Sequence, residues 1–251
     1  MQDIPQSLNF DLILSSDIRF GSSDALDDQS WELGTAVNQL PTLSLFTTYG
    51  LRASRMQIYP VFSLQGRKVQ SPSDFHSPPS LSFYSTNFAS VNFSPFPAID
   101  VLFKVWVPNS HVLCAELTCT NADSEIKTMG VDWLMHLSPL QGGSPMKHQT
   151  IGMNTVLQGE CGNLFPVFYL TGGAYASTSQ LPGLGVKMML LPGAIKHSNW
   201  VLASLLSIDA SFQQARQFSS QRLEPEQLKI EMADKRDKVQ LSSPDKSTMQ
   251  A

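Results

Sequence analysis

Residues 101–137 read VLFKVWVPNSHVLCAELTCTNADSEIKTMGVDWLMHL, and this stretch decides the class of fold. Three runs rich in Val, Leu, Phe, Trp, Thr and Cys are separated by two polar corners, Pro108-Asn109-Ser110 and Asn121-Ala122-Asp123-Ser124. Each run alternates well enough to turn one face to a core and the other away, which is the period of a strand. Short polar corners between such runs predict an antiparallel meander.

The same grammar extends outward. Upstream, residues 10–20 (FDLILSSDIRF) read as a strand, and residues 42–49 (TLSLFTTY) alternate, with Ser44, Phe46 and Thr48 on one side. Residues 51–62 form another run, bent or placed at an edge by Pro60. Residues 65–80 and 138–152 read as loops by their prolines, glycines and serines, with aromatic strand character between them from 81 to 96. Downstream, 164–170, 185–191 and 200–208 are short apolar runs. Many short strands between turn signals predict an all-β fold, a large antiparallel two-sheet sandwich.

Composition agrees. Of 251 residues, 42% are hydrophobic and only 15% charged, below the roughly 25% usual for soluble domains. Ser, Thr, Asn and Gln supply the missing polarity, which suits strands and turns. A net charge of -4 provides no basic field for nucleic acid or an anionic membrane, so neither is an expected partner. Cys114 and Cys119 lie an odd number of positions apart on one run, so they face opposite sides and cannot pair. With Cys161 they read as three reduced thiols. No signal peptide is evident, and no apolar run approaches the ~18 residues of a membrane span. The expected location is the cytoplasm.

At Asp209 the pattern changes. Ser211 and Gln214 have the spacing of a capping box, and Phe212, Ala215 and Phe218 share one helical face. Pro225 interrupts the run. The expected organisation is therefore a sandwich over residues 1–209 and a helical linker over 210–251.

The residues offer little chemistry. The five histidines are scattered without ligand spacing, so no metal is expected. Residues 171–185 (TGGAYASTSQLPGLG) are glycine-rich but open no helix and lack a GK[ST] ending, so no phosphate cofactor is expected. No Gly-x-Ser-x-Gly occurs. The acidic stretch Asp24, Asp27, Asp28 and Glu32, interleaved with Trp31, is the one place where carboxylates meet a large aromatic. That combination suits a sugar, whose ring face packs on indole while its hydroxyls meet carboxylates. The simpler reading, and the favoured one, is a solvated turn whose Trp31 plugs the sandwich.

Two stretches carry a resemblance. Residues 101–139, with a strand ending in Trp106-Val107-Pro108 and another in Thr120-Asn121, resemble the N-terminal β-supersandwich domains of glycoside hydrolases whose catalytic domain is an (α/α)6 barrel. These are the glycogen-debranching, glucoamylase-like, and trehalase- or processing-glucosidase-like groups. Residues 207–251 look like the helical linker that leads into such a barrel, and DDQSWEL (residues 27–33) is similar to what these chains carry. The resemblance implies a non-catalytic domain supporting hydrolysis of α-linked glucosides, which the barrel performs with two carboxylates in an inverting geometry. Those carboxylates lie on barrel loops, so no catalytic residue carries over to this chain. It implies as partners the chain's own catalytic domain, absent from these residues, and an oligosaccharide, with Asp28, Trp31 and Glu32 as candidates for the rim of the sugar pocket. The alternatives are a free-standing carbohydrate-binding sandwich and a structural or interaction sandwich that binds no sugar.

Overall fold

The computed structural model describes residues 11–19, 23–34, 43–140, 142–177, 179–221 and positions 228, 230 and 232. Two of the three runs in residues 101–137 form the predicted hairpin. β8 (Ile99–Asn109) pairs antiparallel with β9 (Val112–Asn121), setting Val105 opposite Ala115 and Trp106 opposite Cys114. The third run does not continue the meander. β10 (Lys127–Pro139) crosses to a second sheet, where it pairs with β4 (Ala53–Leu64) on one side and β15 (Gly183–Leu190) on the other. The corner explains the crossing. The Asn121 side-chain amide donates to the Glu125 and Leu190 carbonyls while its oxygen accepts from the Asp123 N–H, which holds the chain against β15.

Among the described residues, two eight-stranded sheets result. The first runs β1 (Asp11–Leu14), β2 (Trp31–Gly34), β3 (Ser44–Thr47), β4, β10, β15, β14 (Tyr175–Ala176), with β5 (Arg67–Val69) also paired to β4. The second runs β11 (Gly143–Ile151), β12 (Asn154–Cys161), β13 (Phe165–Leu170), β16 (Ile195–Leu205), β9, β8, β7 (Phe88–Phe96), β6 (Ser77–Ser85). The predicted all-β antiparallel sandwich is the observed fold.

The two stretches read as loops hold strands at the sheet edges. β11 begins within residues 138–152 and β6 within 65–80, and these are the two outer strands of the second sheet. An edge strand tolerates Pro145, or Pro78 and Pro79, because a missing N–H there breaks no ladder on its open side. Pro78, Pro79 and Pro145 therefore mark sheet edges, whereas Pro72 opens a short 3-10 helix between strands, Pro72–Asp74.

The core lies between the sheets. Trp133 of β10 and Trp200 of β16 meet edge to face at 5.2 Å, with Phe103 5.6 Å from Trp133 and Phe168 5.2 Å from Trp200. Burying one such side chain contributes roughly 1.5–3 kcal/mol, and aromatic pairing adds about 0.5–1.5 kcal/mol.

α1 (Ile208–Ser219) follows β16 directly. Its cap is Ser207, not Ser211: the Ser207 hydroxyl accepts from the Ala210 N–H at 3.2 Å on an extended backbone. Ser211 is fully buried, already helical, and its hydroxyl accepts from the Leu205 N–H at 2.9 Å. The predicted helix face is otherwise in place, with Phe212 packed on Val156, Val167 and Tyr169 on the outer side of the second sheet. Residues 1–221 form one compact unit and 222–251 another, the latter helical at Leu228, Ile230 and Met232. Pro225 lies outside the described residues. Among the described residues, no helix is long and apolar enough to cross a membrane.

Candidate functional site

The acidic stretch is the connection from β1 to β2, and it is held at several points. The Gln29 N–H donates to the Ser110 carbonyl at 2.9 Å, and the Asp24 N–H donates to the Ser110 hydroxyl at 2.6 Å. Gln29, only 3% exposed, also donates through its side-chain amide to the Ser204 carbonyl at 3.1 Å and contacts His111 Nδ1 at 3.0 Å. The Ser16 hydroxyl donates to Asp28 Oδ1 at 2.6 Å. The loop is thus fastened to the β8–β9 turn and to the end of β16, which fixes where its carboxylates point.

A second turn faces it. Tyr49, Gly50 and Leu51, between β3 and β4, all have positive φ of 51, 61 and 67°. For Tyr49 and Leu51 that backbone costs about 1 kcal/mol or more each and needs outside support. Support comes from the fully buried Tyr49 ring, which packs edge-on against Trp31 at 5.8 Å, and from its hydroxyl, 3.0 Å from that of Ser204. Arg52 continues the turn. It donates to Asn163 Oδ1 and to the Tyr49 carbonyl, and it pairs with Asp27 at 2.9 Å.

Between loop and turn lies a groove of about 410 Å³, lined among others by Asp28, Ser30, Glu32, Phe46, Thr48 and Arg55. It gathers two carboxylates, a guanidinium, hydroxyls and one half-buried phenyl ring. Such a surface offers acceptors and donors in alternation beside an apolar patch, which is the chemistry of a polyhydroxylated ring. A smaller cleft holds Asp24 and His111, which lie 3.6 Å apart, and there His111 Nδ1 is already taken up by Gln29.

Of the residues singled out from the sequence, Asp28 and Glu32 come together at this groove. Trp31 does not join them. It is 2% exposed, in the core, so no sugar can stack on it. Strand alternation is the cause: Trp31 and Leu33 point inward, and Glu32 between them points out. The expected stacking role of Trp31 is corrected accordingly. Phe46, Thr48 and Arg55 were missed, although the alternation of residues 42–49 already placed an aromatic among hydroxyls on the polar side. Among the described residues, no group of three or more His, Cys, Asp or Glu side chains converges as metal ligands would.

The sequence matches no family model and no curated protein. Its fold is similar to that of a bacterial glucoamylase complexed with acarbose, with a TM-score of 0.58 at 8% identity over 89% of this chain. The match spans 37% of the glucoamylase's length. An aldose epimerase homologue from C. elegans is also similar, with a TM-score of 0.45 at 6% identity over 78% of this chain and 99% of that one. At such identities the likeness speaks for the fold alone. That fold, a large two-sheet sandwich found within a glucoamylase, is the one that the resemblance in residues 101–139 implied.

Proposed function

We propose that this chain is a non-catalytic β-supersandwich domain of a carbohydrate-active enzyme acting on α-glucosides, and that it binds oligosaccharide in the groove at Asp28 and Glu32. The observation that carries the reading is the groove itself, where two carboxylates, Arg55, hydroxyls and Phe46 converge on one opening. Carboxylates accept from sugar hydroxyls, Arg55 donates to them, and the Phe46 ring meets the apolar face of a pyranose. Such a domain packs against an (α/α)6 barrel that carries out the hydrolysis. The three unpaired, buried cysteines support a reducing compartment, which agrees with a cytoplasmic enzyme.

Titration calorimetry with maltohexaose tests this. Saturable binding is expected, and Asp28→Asn with Glu32→Gln is expected to weaken it by about tenfold or more. Absence of saturable binding to any neutral glucan by a folded chain overturns the sugar-binding reading. One observation favours a free-standing carbohydrate-binding sandwich as a second reading: every residue named at the groove belongs to this chain's first unit, so the site needs no other domain. Equal affinity of this chain alone and of the chain joined to a barrel supports that second reading.

A further inference from the structure

The second sheet carries an opening of its own, apart from the groove. On β12, Leu157 points into the core, so Val156 and Gln158 on either side of it point out. The outer face there is covered by α1, whose Phe212 packs on Val156 and Val167. Gln158 stands opposite Val167 in register, at the edge of what the helix covers. In that corner the β11–β12 hairpin, the start of β13 and the first turn of α1 frame a pocket of about 610 Å³. Gln149, Thr150, Gln158, Phe165, Ser207 and Asp209 are among its lining residues. Gln158 is the unusual member. It is only 8% exposed, yet its carboxamide has no hydrogen-bond partner among the described residues. Buried side-chain amides are rarely left so, and this one borders an opening in which a ligand can meet it. The helix start adds further open groups. Ser207 caps the Ala210 N–H, while the Ile208 and Asp209 N–H groups find no acceptor among the described residues.

We infer that this pocket, between Gln158 and the first turn of α1, is a second carbohydrate site that takes a neutral pyranose through vicinal hydroxyls. The Ile208 and Asp209 N–H groups and the Gln158 amide donate to hydroxyl oxygens, and the Gln158 carbonyl and the Asp209 carboxylate accept from hydroxyl protons. The half-buried Phe165 ring meets the apolar face of the sugar. Donors and acceptors crowd one corner, and vicinal hydroxyls, each donor and acceptor at once, satisfy both within one ring. A neutral ligand fits better than an anionic one, because Asp209 sits in the first turn and none of the lining residues is Lys or Arg. The volume lies within the roughly 300–1,000 Å³ of small-molecule sites. The inference rests on the carbohydrate reading above but not on the groove, which lies on the first sheet.

Titration of the ¹⁵N-labelled chain with maltose, followed by amide NMR, tests the site. The Gln158 side-chain amide and the Ile208 and Asp209 backbone amides are expected to shift saturably, and to do so equally in the Asp28→Asn, Glu32→Gln double variant. Gln158→Leu, close in size, is expected to weaken the response at Asp209 about tenfold or more and to leave that at Glu32 unchanged. Its melting temperature is expected to hold or rise, since the fold itself makes no use of the amide. A lower melting temperature with the maltose response at Asp209 retained overturns the proposal, because Gln158 then serves the fold. Shifts at Glu32 without shifts at Ile208 and Asp209 overturn the pocket and leave the groove standing. Shifts at Ile208 and Asp209 alone do the reverse. A response to an acetylated dipeptide amide but not to maltose overturns the sugar assignment, and no response to maltose anywhere overturns the pocket and the groove together.

Discussion

Arg52 Nη1 lies 2.9 Å from Asp27 Oδ1, joining the β3–β4 turn to the loop that carries the groove's carboxylates. The same guanidinium reaches Asn163 and the Tyr49 carbonyl, so three segments meet on one side chain. Arg52→Ala is expected to destabilise the chain by about 1–2 kcal/mol, a figure between a surface ion pair and a set of charged hydrogen bonds. Sugar affinity is expected to fall with it, because Asp28 adjoins the released Asp27. Urea unfolding and calorimetry on one preparation check both.

Alkali is expected to weaken the fold. Burial pushes the Cys119 thiol up to about 12 and the Cys161 thiol up to about 11, from an ordinary 9.0. Burial raises the Tyr49 hydroxyl as well. As pH rises past the ordinary thiol value, the unfolded chain loses these protons while the folded chain keeps them, so stability declines. The decline through Cys161 spans pH 9.0 to about 11 and that through Cys119 continues to about 12. Urea midpoints at about pH 8 and about pH 10.5 should differ, and Cys119→Ala should reduce the difference. Equal midpoints contradict the expectation.

Gly185 has a packing duty at the far edge of the first sheet. A Cβ there would collide with the Asp132 carboxylate and the Tyr175 ring, which are themselves joined by a 3.0 Å hydrogen bond from the Tyr175 hydroxyl. Gly185→Ala is expected to cost about 1–3 kcal/mol, the usual penalty of overpacking. Tyr175, held up to about 12 by burial and then by the Asp132 charge, should titrate nearer its ordinary 10.0 in the variant. Ultraviolet titration of the tyrosines reads the change.

The helix start offers a clean comparison. Ser207→Ala removes the cap and is expected to cost about 1 kcal/mol. Ser211→Ala instead removes a fully buried hydroxyl and leaves the part-buried Leu205 N–H without its acceptor, and is expected to cost about 1–3 kcal/mol. Denaturant midpoints of the two variants, measured side by side, should rank them in that order.

Much of the site was half-legible. The outward direction of Glu32 and the inward direction of Trp31 follow from their adjacency on a strand, once a strand is placed there. The pairing of Glu32 with Phe46 is not written anywhere in the chain, since the two lie on different strands and become neighbours only through register. Arg55 looked like one of several surface arginines until β4 set it beside the acidic loop.

By itself, the sequence determined that residues 101–137 are strands, that the protein is an antiparallel sandwich, and that a helix follows the last strand, because side-chain period and turn chemistry are local properties. Only the tertiary structure decided that the third run leaves its neighbours for the other sheet. Alternation of apolar and polar residues is the same for a strand in either layer. The choice was made by what Asn121 could bond and by which large side chains could fill the space around Trp133 and Trp200.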